Sequence, residues 1–355
     1  MILKNLRERS FVKKNVYESI DSLALKLKRI RKNHSTLAIC PSTTGNSWQG
    51  VQTATLGLFP ENTLILPQYY SKTVYTDKEI FEICELIRNN HFENIVLSGY
   101  PGYFKKIIEK LFFYTKIKLI YHGSFASNRE DENSTIFFLN EIIELAKLNK
   151  IHSLGFVKKG MAESFEIISG ISTSHILLVT NKAKIKEKQY INNDTINIGV
   201  FTHNQYRKNI DNQVAAALMI NNSIIHLKNN YNFGYFHNPN RFNIHGFFNS
   251  HNDFLKVLAS MNVNLYVSFS ECWGQVITES LMLGVPCLAA DNSGVLDYDI
   301  ELANFLIVKE FDNSTAIYKQ TQLVLENNKW ISKRGMEYID KLNKMALLKI
   351  SEFLR

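Results

Sequence analysis

Cysteine is scarce in this chain of 355 residues, which has four: Cys40, Cys84, Cys272 and Cys287. They show no paired spacing, and no histidine lies at the interval of a zinc ligand, so the sequence predicts neither a disulfide framework nor a structural metal site. Long apolar runs are missing too, since none approaches the roughly 20 residues that cross a bilayer. The lysine-rich start lacks the apolar core and cleavage site of a signal peptide. We therefore expect a cytoplasmic protein.

Familiar glycine motifs for nucleotides are absent as well. The glycines of "CPSTTGNSWQG", residues 40–50, match neither Gly-x-Gly-x-x-Gly nor a P-loop. No basic stripe is interleaved with aromatic residues of the kind that stack bases, so nucleic acid is not an expected partner. The chain shows no low-complexity segment and no internal repeat. Its length is typical of two globular domains.

Positive charge is concentrated at the start of the chain. Residues 1–32 hold ten Lys or Arg against three acids, so this segment accounts for +7 of the net +8. Such a patch favours an anionic partner such as a membrane surface, a phosphorylated carrier or, were a base-stacking stripe present, nucleic acid. Ile20, Leu23, Leu27 and Ile30 recur at helical spacing, which predicts a solvated helix docked through its apolar face. The two interpretations are compatible, and the sequence does not choose between them.

Short apolar runs alternate with longer helical stretches from Thr36 onwards. The first half has six runs typical of buried strands: "TLAIC", "TLILP", "NIVLSG", "IKLIYHG", "KIHSLGF" and "SHILLVTN". A polar, charged stretch at residues 181–195 predicts a linker, and the alternation restarts with "INIGVF" and continues to "VPCLAA". This order predicts an α/β protein of two doubly wound, Rossmann-like domains that face each other across a cleft, with expected bounds 1–190 and 191–330.

One run has the features of an anion site: "SECWGQVITESLMLGVPCLAAD", residues 270–291. A strand precedes a tight loop, "QVITESLML" is predicted to be a helix that Gly284 ends, and "VPCLAA" is the next strand. The helix begins at the carboxyl edge of a parallel sheet, where amide groups and the helix dipole favour a phosphate that Gly274 lets approach. Glu271 and Glu279 flank this position, which suits carboxylates that accept hydrogen bonds from sugar and ribose hydroxyls.

This run resembles the retaining glycosyltransferases of GT-B fold, family 4 above all, in its Glu-x7-Glu spacing, its Ser-x-x-Glu-x-x-Gly and its later Gly-x-Pro. The resemblance implies that Glu271 contacts the donor sugar and that Glu279 binds the nucleotide ribose. It implies that the backbone amides of Gly274, Gln275 and Val276 bind the diphosphate. Residues 1–190 would then be the acceptor domain and 191–330 the donor domain, with 331–355 a helix crossing back to the first. The alternative is two solvated glutamates on a surface helix.

The same resemblance assigns basic residues to the donor phosphates. Arg207 and Lys208 follow the strand "INIGVF", where the family places an arginine and a lysine. Lys208 matches the family lysine, whereas the family arginine lies several residues earlier, where this chain has only His203. A basic turn exposed to solvent is the alternative. His122 matches a family histidine near the transferred sugar, where holding a sugar hydroxyl would suit a neutral imidazole. The alternative is that His122 makes only a structural hydrogen bond.

Two loops complete the expected site. Gly45 and Asn46, after the first strand, would lend amides to the phosphates or shape the acceptor pocket, unless they form an ordinary turn. Gly246 and Phe247 lie where the family binds the base, largely through backbone groups. Phe247 or Phe248 would stack on that base, with core packing as the alternative.

These matches predict a retaining hexosyltransferase that moves a sugar from a nucleotide-diphosphate sugar, expected to be a UDP-sugar, to a hydroxyl of a carbohydrate, lipid-linked or protein acceptor. Polysaccharide, glycolipid or glycoconjugate synthesis would use such a reaction. No cofactor and no metal is expected, because the Asp-x-Asp at Asp297 and Asp299 is predicted to be a loop feature. The basic start would hold the protein at the inner face of the membrane. A GT-B epimerase or hydrolase and a non-catalytic nucleotide-sugar binding protein are the alternatives.

Overall fold

The computed structural model describes residues 22–42, 48–66, 75–125, 134–181, 195–229, 239–246, 248 and 250–355. Contacts divide the chain into two compact units: unit 1 ends at Val179 and also includes Ala346–Arg355, and unit 2 is Thr180–Met345. The predicted boundary at residue 190 lies outside the described residues. The last helix, Asn328–Leu354, contributes its final turns to unit 1 and the rest to unit 2.

Unit 1 contains a parallel sheet of six strands in the order β2-β1-β3-β4-β5-β6. The strands are β1 (Thr36–Pro41), β2 (Thr63–Leu66), β3 (Asn94–Ser98), β4 (Lys116–Tyr121), β5 (Ser153–Phe156) and β6 (Thr173–His175). A helix that includes residues 22–33 (α1) precedes them. The others are α2 (Gln49–Leu58), α3 (Asp77–Arg88), α4 (Phe104–Leu111), α5 (Ser134–Lys147) and α6 (Met161–Ser169).

Strand β1 shows why the apolar runs form the centre of this sheet. Four consecutive residues, Leu37, Ala38, Ile39 and Cys40, are all 0% exposed, so both faces of the strand are covered. Continuous apolar runs of this kind are typical of parallel strands with helices on both sides. Among the helices, α3 begins with a capping box in which Thr76 and Glu79 satisfy each other's backbone amides.

Unit 2 repeats the design with a second parallel sheet of six strands in the order β12-β11-β10-β7-β8-β9. Its strands are β7 (Ile196–Val200), β8 (Ser223–Leu227), β9 (Phe242–Ile244), β10 (Val263–Tyr266), β11 (Cys287–Ala290) and β12 (Ile307–Val308). Its helices are α7 (Ile210–Leu218), α8 (His251–Ala259), α9 (Gln275–Met282), α10 (Ile300–Leu306), α11 (Ser314–Glu326) and α12 (Asn328–Leu354), with 3₁₀ turns at Tyr206–Lys208 and Pro239–Arg241.

The strand order of unit 2 positions its loops. Strand β7 lies between β10 and β8, so the chain leaves β7 on one side and returns through β10 on the other. This is the switch point at which open α/β sheets bind ligands beyond the carboxyl ends of their strands. The segments that follow β7, β8, β9 and β10 therefore gather at one edge of the sheet.

Three details differ from the sequence predictions. The run "SHILLVTN" was predicted to be a strand, but β6 ends at His175 and residues 176–181 form no strand. The helix expected over residues 331–355 begins earlier, at Asn328, and α11 precedes it. Helices α2 and α5 are present in addition to the predicted elements.

Helix α1 packs on unit 1 through its apolar residues. Leu23, Leu27 and Ile30 are at most 5% exposed and belong to the core cluster of that unit. This confirms the predicted docking face for these three residues, while residues 1–21, including Ile20, lie outside the described part of the chain. Among the described residues, no helix is both long and apolar enough to cross a membrane. The anionic partner of the basic start stays a prediction.

Candidate functional site

A buried ion pair lies at the carboxyl edge of the second sheet. Lys208 ends the 3₁₀ turn after β7, and only 3% of its surface is exposed. Its ammonium donates hydrogen bonds to the Glu271 carboxylate and to the Tyr266 hydroxyl, the latter at 2.7 Å. The same ammonium lies 4.7 Å from the centroid of the Tyr266 ring. The structure thus brings together two predicted residues and a tyrosine that the sequence did not single out.

The charges of this pair depend on each other. Burial alone would raise the pKa of Glu271, but the charge and hydrogen bond of Lys208, with Arg207 and the Cys272 amide, outweigh it and lower that pKa. Burial lowers the pKa of Lys208, and Glu271 opposes this shift. Glu271 is therefore an anion at neutral pH. A carboxylate held in this way can accept hydrogen bonds but cannot supply a proton.

Arg207 lies beside the pair. Its Nη1 donates to the Ser270 carbonyl at 3.3 Å and is 3.9 Å from Glu271 Oε2. In return, the Ser270 amide donates to the Arg207 carbonyl at 3.3 Å. The turn after β7 and the loop after β10 are therefore joined in both directions. Arg207 Nε is buried and has no hydrogen-bond partner among the described residues.

Two side-chain amides hold the turn of Lys208 against the end of β10. Gln213 is fully buried, donates to the carbonyls of Lys208 and Asn209 at 2.8 and 3.0 Å, and accepts from the Val267 amide at 2.8 Å. Asn209, with φ of 53°, donates to the carbonyls of Val267 and Phe311. These bonds connect the end of β7 to the end of β10 and place Lys208 next to Glu271. Sequence patterns did not reveal them, because both amides act across the fold.

Gly274 opens the helix that follows Glu271. Its φ is 79°, and a Cβ added there would lie 2.6 Å from Ile277 Cδ1, so a side chain is excluded by both conformation and space. Helix α9 begins at Gln275 without a side-chain cap. The first amides of an α-helix have no carbonyl partner within it, and the helix dipole adds positive potential there. The amides of Gly274, Gln275 and Val276 thus lie at a position suited to an anion.

Glu279 lies one turn into the same helix and is 6% exposed. Its Oε1 is 3.0 Å from Nε2 of His251, the first residue of α8. The hydrogen bond that His251 donates to the Glu279 carboxylate raises the pKa of His251, although burial opposes the shift. Glu271 and Glu279 are therefore not solvated surface residues, because each has a basic partner. His251 was not predicted from the sequence.

The segment after β9 is rich in rings. Gly246 has φ of 71°. The Phe248 ring packs with Phe201, at 6.4 Å between centroids, and with Phe254, at 5.3 Å. Core packing, the alternative named for Phe248, is therefore its observed environment. Phe247 lies outside the described residues, as do Gly45 and Asn46.

His203, the residue at the expected arginine position, lies among cations. Burial first, and then the charges of Lys228, Lys208 and Arg207, lower its pKa to about 4, with Glu271 opposing. Lys228 directly follows β8, the neighbour of β7, and was not predicted. The edge of the second sheet thus carries more positive than negative charge around this imidazole, which favours an anionic ligand.

His122 lies in unit 1, after β4. Its Nε2 is 2.9 Å from Ser98 Oγ, which in turn lies 2.6 Å from Thr55 Oγ1. Burial lowers the pKa of His122 to about 4, so its imidazole is neutral at physiological pH. The hydrogen bond between His122 and Ser98 is the structural role that was named as the alternative for this histidine. A role toward a sugar stays a prediction.

The Asp-x-Asp segment has a visible structural role. Asp299 caps α10 by accepting from the Leu302 amide at 3.0 Å, and its other oxygen accepts from Arg334 Nε at 2.7 Å. In the part of the chain that the structure describes, no cluster of three or more His, Cys, Asp or Glu could hold a metal ion.

Two six-stranded parallel sheets with this topology define a GT-B fold, and comparison with solved structures shows the same. A sucrose-phosphate synthase from Thermosynechococcus elongatus is 16% identical, with a TM-score of 0.63 over 90% of this chain and 98% of that one. HepE of Anabaena, in complex with UDP and glucose, is 12% identical, with a TM-score of 0.67 over 91% and 99%. The trehalose-6-phosphate synthase OtsA is 11% identical, with a TM-score of 0.64 over 90% and 99%. At these identities, the likeness shows the fold alone.

The sequence comparison is more local. Residues 236–341 match the family model described as "Glycosyl transferases group 1". This segment is less than half of the chain and contains Glu271, Gly274 and Glu279. No curated protein matches the chain in sequence.

Proposed function

We propose that the protein is a retaining glycosyltransferase that moves a sugar from a UDP-sugar to a hydroxyl acceptor without a metal ion. The observation that carries the proposal is the buried Lys208–Glu271 pair beside the uncapped start of α9. The cation and the helix amides suit the phosphates of a nucleotide-diphosphate sugar, and the carboxylates of Glu271 and Glu279 suit the hydroxyls of its sugar and its ribose. The group 1 match over residues 236–341 supports the same chemistry.

The donor is bound in three parts. The diphosphate lies against Lys208, Arg207 and the amides that begin α9, where opposite charge and the helix dipole both stabilise it. Glu279 accepts from the ribose hydroxyls, and Glu271 from the hydroxyls of the transferred sugar. The base lies at Gly246, where a Cβ would meet no described atom within 4 Å.

The transfer step needs a stabilised leaving group. The bond from the anomeric carbon to the β-phosphate oxygen breaks, and its electron pair stays on the phosphate. The acceptor oxygen forms its bond on the same face, and its proton passes to the departing phosphate oxygen, so configuration is retained. Lys208 and Arg207 stabilise the charge that develops on the phosphate, which is the main contribution of the protein.

UDP is the proposed nucleotide because solved structures of similar fold contain it. HepE was solved with UDP and glucose, and an E. coli structure of similar fold, a trehalose-6-phosphate protein, was solved with UDP-2-fluoro glucose. The acceptor class is a hydroxyl of a carbohydrate, a lipid-linked or a protein substrate, used in polysaccharide or glycoconjugate synthesis. The basic residues 1–32 would attract an anionic membrane surface.

A donor screen tests this function. Nucleoside diphosphates and their sugars are added to the purified protein, and the melting temperature is followed. We expect UDP and one UDP-sugar to raise it, because a ligand that binds only the folded state stabilises that state. The stabilising UDP-sugar is then incubated with candidate acceptors, with UDP release and the product anomer as readouts. An inverted product would reject retention. Turnover without an acceptor would favour an epimerase or hydrolase, and binding without turnover a non-catalytic binding protein.

A further inference from the structure

Three side chains form a chain of hydrogen bonds across β7, β8 and the segment after β9. Asn197 Oδ1 lies 2.9 Å from His226 Nε2, and His226 Nδ1 lies 2.9 Å from His245 Nε2. Asn197 and His226 are at most 4% exposed, while His245 is half-buried. Nothing in the function proposed above explains this arrangement. Buried polar groups of this kind are costly unless each donor meets an acceptor.

The side-chain oxygen of Asn197, at one end of this row of hydrogen bonds, determines which ring nitrogens of the two histidines carry a proton. Asn197 Nδ2 donates to the Thr195 carbonyl at 3.2 Å, which leaves Oδ1 to face His226 as an acceptor. His226 must therefore carry its proton on Nε2. Burial first, and then His245, lower the pKa of His226 to about 4, so its Nδ1 is bare at neutral pH.

The same reasoning then fixes His245. Since His226 Nδ1 is an acceptor, the proton of His245 lies on Nε2. Burial lowers the pKa of His245 as well, so this imidazole is neutral. Its Nδ1 is left with a lone pair, and no group among the described residues donates to it. A neutral histidine ring has one donor and one acceptor, and here the acceptor is left for a ligand.

A row of ring contacts connects His245 to Glu279. The His245 ring stacks on Phe248 with 6.0 Å between centroids, Phe248 contacts Phe254, and Phe254 contacts His251 at 5.9 Å. His251 is the partner of Glu279. Beside His245, a Cβ on Gly246 would meet no described atom within 4 Å. If Glu279 binds the ribose, the base of the same nucleoside lies beside Gly246 and His245.

We propose that His245 recognises the donor base by accepting, at Nδ1, a hydrogen bond from the ring N3–H of uracil, with His226 and Asn197 as positioning residues that set its tautomer. This inference rests on the proposed function and adds a specificity-determining residue to it. Cytosine presents a bare N3 at the same place, which would oppose the lone pair of His245. The side chain thus selects UDP over CDP.

Ligand chemistry tests the hydrogen bond in the unaltered protein. Isothermal titration compares UDP with CDP and with UDP methylated at uracil N3, which lacks the N–H. We expect CDP and the methylated UDP to bind about tenfold more weakly or worse, the effect of losing one buried hydrogen bond and leaving its acceptor unpaired. Equal affinity for all three would overturn the proposal. If no nucleoside diphosphate binds at all, the proposed function fails with it.

A variant separates the role of His245 from the shape of the pocket. His245→Phe keeps a ring on Phe248 and removes the acceptor. We expect this variant to bind UDP about tenfold more weakly than wild type and to bind UDP and methylated UDP alike. If it still prefers UDP by the original factor, steric exclusion of the methyl group explains the preference, and His245 is not the acceptor. UDP affinity of wild type would then still support the proposed function.

NMR spectra of the histidine ring ¹⁵N atoms test the tautomer of His245 in the unaltered protein. In the free protein at pH 7, the His245 ring should show Nε2 protonated and Nδ1 bare. Saturating UDP should shift the Nδ1 resonance as a donor approaches it, whereas the methylated UDP should not. A ring protonated on Nδ1, or an Nδ1 signal that ignores UDP, contradicts the proposal.

Discussion

The ammonium of Lys208 and the carboxylate of Glu271 form a buried ion pair although 63 positions separate them in the chain. Tyr266 completes the shell of the ammonium, and Arg207 lies on the other side of the carboxylate. Removing one partner of such a pair leaves the other charge buried without compensation. The pair therefore contributes to stability and to the proposed reaction at once, and experiments must separate the two.

Replacing Lys208 tests the pair itself. Lys208→Met should lower the free energy of unfolding by up to about 3–5 kcal/mol, because the Glu271 carboxylate loses its nearest cation and keeps only Arg207, at 3.9 Å. The double variant Lys208→Met with Glu271→Gln should recover part of this loss, since no charge remains. Urea denaturation measures both. A double variant less stable than the single one would show that the two residues do not act as a pair.

Tyr266→Phe removes one hydroxyl and keeps the ring over Lys208. We expect a loss of about 1 kcal/mol in the free energy of unfolding, the usual net worth of a hydrogen bond, and lower turnover with little change in UDP affinity. Denaturation and steady-state kinetics provide the readouts. Tyr338→Phe, which removes a hydroxyl bound to the Val295 carbonyl in the same unit, is the matched control. Unchanged turnover in Tyr266→Phe would remove Tyr266 from the site.

Alanine substitutions of the two glutamates should affect different steps. Glu279→Ala is expected to weaken UDP binding about 10- to 100-fold, since it removes charge-assisted hydrogen bonds to the ribose. Glu271→Ala is expected mainly to slow turnover, because its partner is the transferred sugar. Titration with UDP and measurement of kcat distinguish the two variants. Glu337→Ala, an exposed acid of α12, should change neither quantity. Wild-type behaviour of both site variants would refute the assignment.

A side chain at Gly274 should disturb the anion site. Gly274→Ala forces a positive φ on an L-residue, at about 1–2 kcal/mol, and adds a Cβ that would lie 2.6 Å from Ile277 Cδ1. Both stability and UDP affinity should fall. Gly170→Ala has a similar φ but meets no atom within 4 Å, so it should show the conformational cost without the loss of affinity. Equal UDP affinity in the two variants would argue against phosphate binding at this helix.

The pH dependence of stability reports on His226. Its pKa is about 4 in the folded protein and about 6.5 in an unfolded chain. Between these values the unfolded chain binds a proton that the folded protein does not, so the free energy of unfolding falls as the pH drops. One such group accounts for about 1.4 kcal/mol per pH unit in this window and for nothing above it. His226→Phe should therefore show a shallower loss from pH 6.5 to 4. Identical slopes would show that His226 binds its proton equally in both states.

The alternation of apolar runs and helices predicted the α/β class, most strands and the course of "SECWGQVITESLML", because these features depend on neighbouring residues. Gly274 and Gly284 both have positive φ, as their places at the two ends of α9 suggested. The same local view could not find Tyr266, Gln213 or His251. Tyr266 looked like an ordinary strand residue, and the importance of Gln213 comes from a bond to Val267, 54 positions away.

The sequence by itself determined that this chain has two parallel α/β sheets, and it marked Glu271 and Glu279 around the glycine that opens a helix, since spacing along a strand, loop and helix is local information. Only the tertiary structure decided which groups these carboxylates meet. Strand β7 lies between β10 and β8, and this brings Lys208 to Glu271 and His226 to Asn197. Those partners follow from the register of parallel strands, which depends on contacts between residues far apart in the chain.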